Sequence, residues 1–233
     1  WLAKLDHAIV PPVPSLFTFN APTSPLLALA GVAAPQATVR LAGTKQTQSG
    51  PVLLTHWGFS GPAVLRLSAW AARELAEQGY QFDVAFNWDA SQNDTLVRDT
   101  FARFRSEHPR KQVSSLSAFG LPQRLWQALV AEAGLPETTR WAVAPAKAIN
   151  RLSDLLTNGT FRVSGKTTFK DEFVTCGGVA LSEVHPQTLE SRHVPGLSFA
   201  GEVLDIDGIT GGYNFQAAWT TGFVAGRNCG REV

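Results

Sequence analysis

The chain has 233 residues, 44% hydrophobic and 17% charged, with 20 Gly and 14 Pro. This excludes disordered, collagen-like and coiled-coil classes and leaves room for one large domain or two smaller ones. Twenty Lys and Arg against nineteen Asp and Glu give a net charge of +1, so no overall field draws the chain to nucleic acid or an anionic membrane, and composition argues against a dedicated nucleic-acid binder.

Cys176 and Cys229 follow neither a CxxC nor a zinc-finger spacing, which argues against disulfides and metal, and a cytoplasmic setting is the expectation. No apolar run approaches the roughly 20 residues of a membrane span, and the first residues lack a secretion signal. The chain contains no Met and begins at Trp1, so it reads as part of a longer or processed chain.

The run Pro11-Pro12-Val13-Pro14 reads as a linker, because proline lacks the N–H and holds its predecessor extended. Strand character follows at 16–20, 37–42, 51–55 and 80–88, where Phe82, Val84 and Phe86 alternate with Asp83, Ala85 and Asn87. Between the last two lies Gly58-Phe59-Ser60-Gly61-Pro62. After it Val64, Leu67, Ala71 and Leu75 predict a helix that Gly79 stops.

From 91 to 159 the strand signals give way to helical ones near 94–107, 121–133 and 145–156, which implies a helical subdomain. It carries Arg98, Arg103, Arg105, Arg110 and Lys111, with Asp94, Asp99 and Glu107 interleaved, so a solvated helix face outweighs a nucleic-acid patch. Strands return at 160–164, 172–176, 179–182 and 197–201. The final helix, 213–227, is apolar or small on nearly every side and is expected to be buried on most faces.

Chemistry concentrates at the end of the chain. A buried strand at 197–201 runs into Glu202, an acidic glycine-rich loop follows, and Gly211 and Gly212 open the last helix. Orphan N–H groups at that helix start and the strand's carboxylate can hold a polar ligand from two sides.

The segment GLSFAGEVLDIDGITGGYNFQAAWTTGFVAG resembles the C-terminal signature of aminoacetone-oxidase-type FAD-dependent oxidoreductases, two-dinucleotide-fold flavoproteins. FVTCGGVALSEVHPQTLESRHVPGL, LLTHWGFSGPAVLRLS and LDHAIVPPVPSL are similar to earlier segments of that family, in its order. The resemblance implies an α+β chain. A β-barrel-like inserted domain (12–89 and 160–174) carries a helical subdomain (90–159), and the C-terminal part of an α/β FAD-binding domain follows (175–233). Residues 1–11 would be a remnant of the first FAD-binding segment with its linker.

The resemblance further implies FAD as cofactor, held by Gly201, Glu202, Asp205, Gly208, Gly211, Gly212, Tyr213, Asn214, Phe215 and Gln216, with Gly177 and Gly178 nearby. Hydride or electrons would pass through flavin to or from a small-molecule substrate entering at a domain interface, with NAD(P)H or oxygen as redox partner. The family's first segment carries a Gly-x-Gly-x-x-Gly turn, and no Gly-x-Gly occurs here. A preceding FAD-binding segment is therefore an expected partner, and the chain alone is expected to hold FAD poorly or not at all.

Other candidates have plain alternatives. His56 and Ser60 could contact substrate or simply form a helix-start turn. Asp205 and Asp207 could face the reactive ring or cap backbone amides. Cys176 could lie near the ring, but a small buried thiol is favoured. His185 and His193 lack metal-ligand spacing and read as surface residues. The rival function is a flavin-free interaction or RNA-binding module using the basic helical subdomain.

Overall fold

The computed structural model describes residues 1–167 and 174–229. In chain order its elements are β1 (Ile9–Ser15), β2 (Thr18–Asn20), β3 (Ala33–Leu41), β4 (Thr47–Leu54), β5 (Gly58–Ser60), α1 (Pro62–Trp70), α2 (Ala72–Glu77), β6 (Gln81–Asn87), α3 (Asp94–Glu107), α4 (Gln123–Glu132), α5 (Ala146–Asn158), β7 (Gly159–Ser164), β8 (Lys166–Thr167), β9 (Val174–Val179) and α6 (Tyr213–Asn228). Short 3-10 turns join several of them. The fold class is mixed α+β, and the chain divides into two compact units: Trp1–Phe17, Ser68–Glu77 and Thr168–Val233 in the first, Thr18–Leu67 and Gln78–Thr167 in the second.

The second unit is built on a half-barrel sheet in the order β7-β6-β3-β4-β5-β2-β8, with antiparallel neighbours. The expected alternation holds in part: Phe82, Val84 and Phe86 are buried and Gln81 and Asp83 face water, but Ala85, expected on the outer face, is buried as well. Phe86 stacks on Trp88 at 4.8 Å and lies 4.6 Å from Phe59, so large rings fill the sheet's inner face. Each such side chain contributes about 1.5–3 kcal/mol by leaving water.

The Gly58-Phe59-Ser60-Gly61-Pro62 motif is the turn from β5 into α1. A Cβ on Gly58, at φ +152°, would sit 2.1 Å from the Phe19 carbonyl, so only glycine lets β2 and β5 pair this closely.

The helical section follows its apolar stripes. The Asn93 side chain caps α3 by accepting from Leu96 N–H at 2.9 Å. Val97 and Phe101 of α3, Leu125, Trp126 and Leu129 of α4, and Leu152 and Leu156 of α5 are buried. Trp141 is wedged against Phe101 and Phe104, both at 5.4 Å. Trp126 Nε1 donates to Val113 O at 2.7 Å, which satisfies the one polar atom of that ring.

In the first unit β1 pairs with β9 antiparallel. A small core of Val179, Val184, Phe199 and Leu204 packs with Leu2, Ile9, Leu189 and Ile206.

Five expectations change. Pro11–Pro14 is not a linker but lies inside β1, tolerated because the pairing shifts between Val10 and Val13 and the strand belongs to a two-stranded ribbon, where absent N–H groups cost little. The helix expected after Gly61 is two helices broken at Ala71. The Leu75 N–H still bonds the Ala71 carbonyl at 2.8 Å, so the apolar period runs across the break unseen.

The strands expected on either side of Gly177-Gly178 are one strand, β9, passing through both glycines; the expected start at 172 lies outside the described residues. No strand forms at 197–201. There the chain is extended with a single bridge between Ser198 and Glu190, and Gly201 opens a 3-10 turn.

Finally, α6 is not buried on most faces. Only Ala225 is fully buried, while Phe215, Trp219 and Phe223 are each 65–69% exposed. The residues of the helix that lose most exposure are small, such as Ala217, Ala218 and Ala225, while its large aromatic side chains stay mostly exposed.

Candidate functional site

The end of the first unit forms a cavity of about 500 Å³, within the usual range for cofactor sites of roughly 300–1,000 Å³. Its walls are the turn at Gly201 and Glu202, the loop through Ile206, Ile209 and Thr210, and the start of α6 from Gly211 to Thr221. Leu16 and Val174 line it as well.

Two side chains hold these walls. Thr221 Oγ1 accepts from Gly201 N–H at 2.8 Å and donates to Ala217 O at 2.7 Å, locking the 201 turn to α6. Asn214 clamps the loop with its whole amide: Oδ1 accepts from Gly208 N–H at 2.8 Å and Nδ2 donates to Gly208 O at 3.0 Å.

Glu202 lines the same cavity. One of its carboxylate oxygens accepts from Thr175 N–H at 2.6 Å, a charge-assisted bond that fixes the side chain against β9. Gly212 is the N-cap of α6, and among the described residues no side chain caps the helix's first amides. The helix start lines the cavity, and its first N–H groups and aligned peptide dipoles favour negative charge near it. Gly201, Ala217 and Ala218 present almost no side-chain bulk, so a flat ring can approach the backbone closely. A planar, hydroxyl-bearing, partly anionic cofactor fits this donor set.

Of the residues expected to hold FAD, Gly201, Glu202, Gly211, Gly212, Asn214 and Phe215 line this one cavity. Gly208 anchors the Asn214 clamp, and a Cβ there would approach Tyr213 Cβ at 3.2 Å. Tyr213 and Gln216 are exposed on the opening turns of α6 outside the lining, and Gln216 Nε2 donates to Thr220 at 2.9 Å.

Asp205 turns to Arg73, 3.6 Å away, and its N–H bonds Val179 O. Asp207 Oδ2 accepts from Ser15 Oγ at 3.0 Å. Cys176 sits beside that carboxylate, and burial first, then the Asp207 charge, push its thiol up and keep it protonated.

Gly177 and Gly178 lie outside the cavity lining. A Cβ on Gly178 would sit 2.5 Å from Val203 O, so this glycine is required by the close passage of β9 and the 203–204 backbone. His56 and Ser60 belong to the second unit, His56 exposed on the β4–β5 turn and Ser60 in β5. The turn is organised by Thr55, whose hydroxyl accepts from Trp57 and Gly58 N–H at 3.2 and 3.1 Å. His193 pairs with Glu183 at 2.5 Å.

Sequence reasoning missed Thr221, Leu16 and Val174. Thr221 left a signal, since Thr220 and Thr221 interrupt an otherwise apolar helix and one of them bonds back to a carbonyl four residues earlier. The other two left none.

Among the described residues no His, Cys, Asp and Glu group is arranged for a metal, and no helix is long and apolar enough to cross a membrane. The HI0933-like protein barrel and H2TH domain pattern matches residues 13–174. The chain is 32% identical over 219 residues to the ribosomal RNA dihydrouridine synthase of Escherichia coli (strain K12), covering 91% of this chain and 50% of that protein. It is 30% identical over 227 residues to the Haemophilus influenzae protein of the same name, covering 96% and 53%. With the 3-dehydro-bile acid delta(4,6)-reductase of Clostridium scindens it shares 28% identity over 226 residues, covering 96% and 55%. The chain thus spans about half the length of these relatives.

Proposed function

Because the chain belongs to the HI0933-like family, within the FAD-dependent oxidoreductase superfamily, we propose that it forms one wall of the FAD site of a reductase acting on a carbon–carbon double bond conjugated with a carbonyl. The observation that carries this reading is one cavity walled by both Gly201–Glu202 and the glycine-opened start of α6.

The bond class is what the relatives' names have in common. Making dihydrouridine saturates the C5–C6 bond next to the C4 carbonyl of uracil, and a delta(4,6)-reductase of a 3-oxo steroid saturates bonds conjugated with its ketone. In both, hydride adds to the carbon β to the carbonyl, or further along the conjugation, and a proton follows at its neighbour. When bound, FAD supplies the hydride chemistry, and a nicotinamide is the two-electron donor proposed to replenish it.

This chain's own groups bind and orient. The second oxygen of Glu202 would accept from sugar-chain hydroxyls and the α6 amides would favour negative charge on the ring, while the Asn214 and Thr221 bonds hold both walls in place. The test is FAD retention by the whole protein. Wild type is expected to purify yellow and release FAD on denaturation, whereas Glu202→Ala and Asn214→Ala lose FAD at least tenfold more readily with unchanged circular dichroism. A colourless whole protein that no added FAD turns yellow would overturn the reading.

A further inference from the structure

We propose that the exposed strip carrying Arg110, Lys111, Arg140 and Lys147, in the second unit, is a docking surface for the phosphate backbone of RNA. The proposal rests on the reductase reading only in making RNA the carrier of the reduced base; docking itself needs no flavin.

Residues 90–159 hold nine Lys and Arg against six Asp and Glu, and the structure sorts these cations by use. Arg98 is paired to Asp94 at 2.7 Å and Arg151 to Glu132 at 2.9 Å. Arg105 is spent on backbone, donating to the carbonyls of Trp141 and Ala144. Arg124 donates to the Ala28 carbonyl at 3.2 Å. Arg110, Lys111, Arg140 and Lys147 are exposed, as is Arg103 on α3, and among the described residues none of these five is in an ion pair.

The fold also brings Arg110, Lys111 and Arg140 together. The segment after α3 runs antiparallel to the one after α4, with Gln112 bridged to Arg140, Trp141 N–H on Lys111 O at 3.0 Å and Ala142 N–H on Pro109 O at 3.1 Å. Residues about thirty apart in sequence therefore stand one strand spacing apart, roughly 5 Å. Trp141 is fully buried, while Arg110, Lys111 and Arg140 around it are exposed. Arg105 ties this ribbon to α3, and the first turn of α5 adds Lys147 and no acid. Glu107 and Glu137 are the nearest carboxylates in sequence, one on each arm, so positive charge dominates the strip.

Three cations on this ribbon, with a fourth on the first turn of α5, complement a phosphodiester chain. Counterion release then makes log K fall with log salt with a slope of about 3, which is roughly a hundredfold loss between about 50 and 200 mM salt.

The experiment is fluorescence anisotropy of a labelled ribosomal-RNA stem-loop titrated with the chain across that salt range, beside sedimentation with phosphatidylserine vesicles. Arg140→Ala should lower the slope by about 0.7–0.9 and weaken binding about five- to eightfold at 0.1 M salt. The triple variant Arg110→Ala, Lys111→Ala, Arg140→Ala should weaken it on the order of a hundredfold. Arg98→Ala with Arg151→Ala, whose charges are already neutralised, should cost less than threefold, and circular dichroism should match wild type throughout. Equal losses in the control and triple variants, a triple variant that binds like wild type, or vesicle binding without RNA binding would overturn the proposal. FAD retention, measured separately, reports on the reductase reading alone.

Discussion

Asn214→Ala tests whether the candidate cofactor wall is preformed by one side chain. The substitution removes two half-buried hydrogen bonds, Gly208 N–H to Oδ1 at 2.8 Å and Nδ2 to Gly208 O at 3.0 Å. At about 0.5–1.5 kcal/mol each, they hold the 205–212 loop by about 1–3 kcal/mol. Because the loss is local, opening of the loop should become about 5–150-fold more frequent while the rest of the chain is unaffected. Hydrogen exchange read by mass spectrometry on a peptide covering 205–212 measures this directly, since the Gly208 amide is itself one of the donors. A peptide covering α3 serves as internal reference. Asn214→Asp keeps the acceptor and loses the donor, so it should give about half the effect in free energy. Unchanged exchange at 205–212, or equal acceleration in α3, would refute the claim that the clamp holds the loop.

Leu125→Ala, at a fully buried position of α4, should cost about 2–5 kcal/mol in chemical denaturation, whereas Trp219→Ala, at a position 68% exposed on α6, should stay within about 0.5 kcal/mol. A larger cost at Trp219 would mean that α6 packs through its aromatic face. The Arg98 guanidinium and the Ser153 hydroxyl hold the Asp94 carboxyl below the ordinary Asp range. A depressed folded value contributes stability above the ordinary Asp pKa of about 3.9 and loses it as pH falls through the lower folded value. Asp94→Asn should therefore flatten the denaturation midpoint against pH below about 4, and an unchanged acid limb would show that the bonds do not form.

Much of the architecture was legible because it is local. The 94–107 helix coincides with its apolar stripe, and the alternation at Phe82, Val84 and Phe86 gave both the strand and its buried face. The stretch from Gly201 to Phe215 stood out as chemistry because glycines, a carboxylate and a helix start are all properties of neighbouring residues. Periodicity could not see that Pro11–Pro14 pairs with β9, since strand pairing depends on a partner more than 150 residues away. Nor could it see which face of α6 packs, because that helix separates small residues from large ones instead of apolar from polar.

The basic residues show the division most plainly. In sequence Arg98, Arg103, Arg105, Arg110 and Lys111 look alike, interleaved with acids along one stretch. Which of them is available to a partner is decided by distances to groups elsewhere in the chain: Asp94 neutralises Arg98, two carbonyls occupy the donors of Arg105 without removing its charge, and the bridge between Gln112 and Arg140 adds a cation from beyond α4. Residue type and spacing set the amount of charge in this region. Only the tertiary structure determines how much of it is unspent and where it gathers, because electrostatic interaction depends on separation in space.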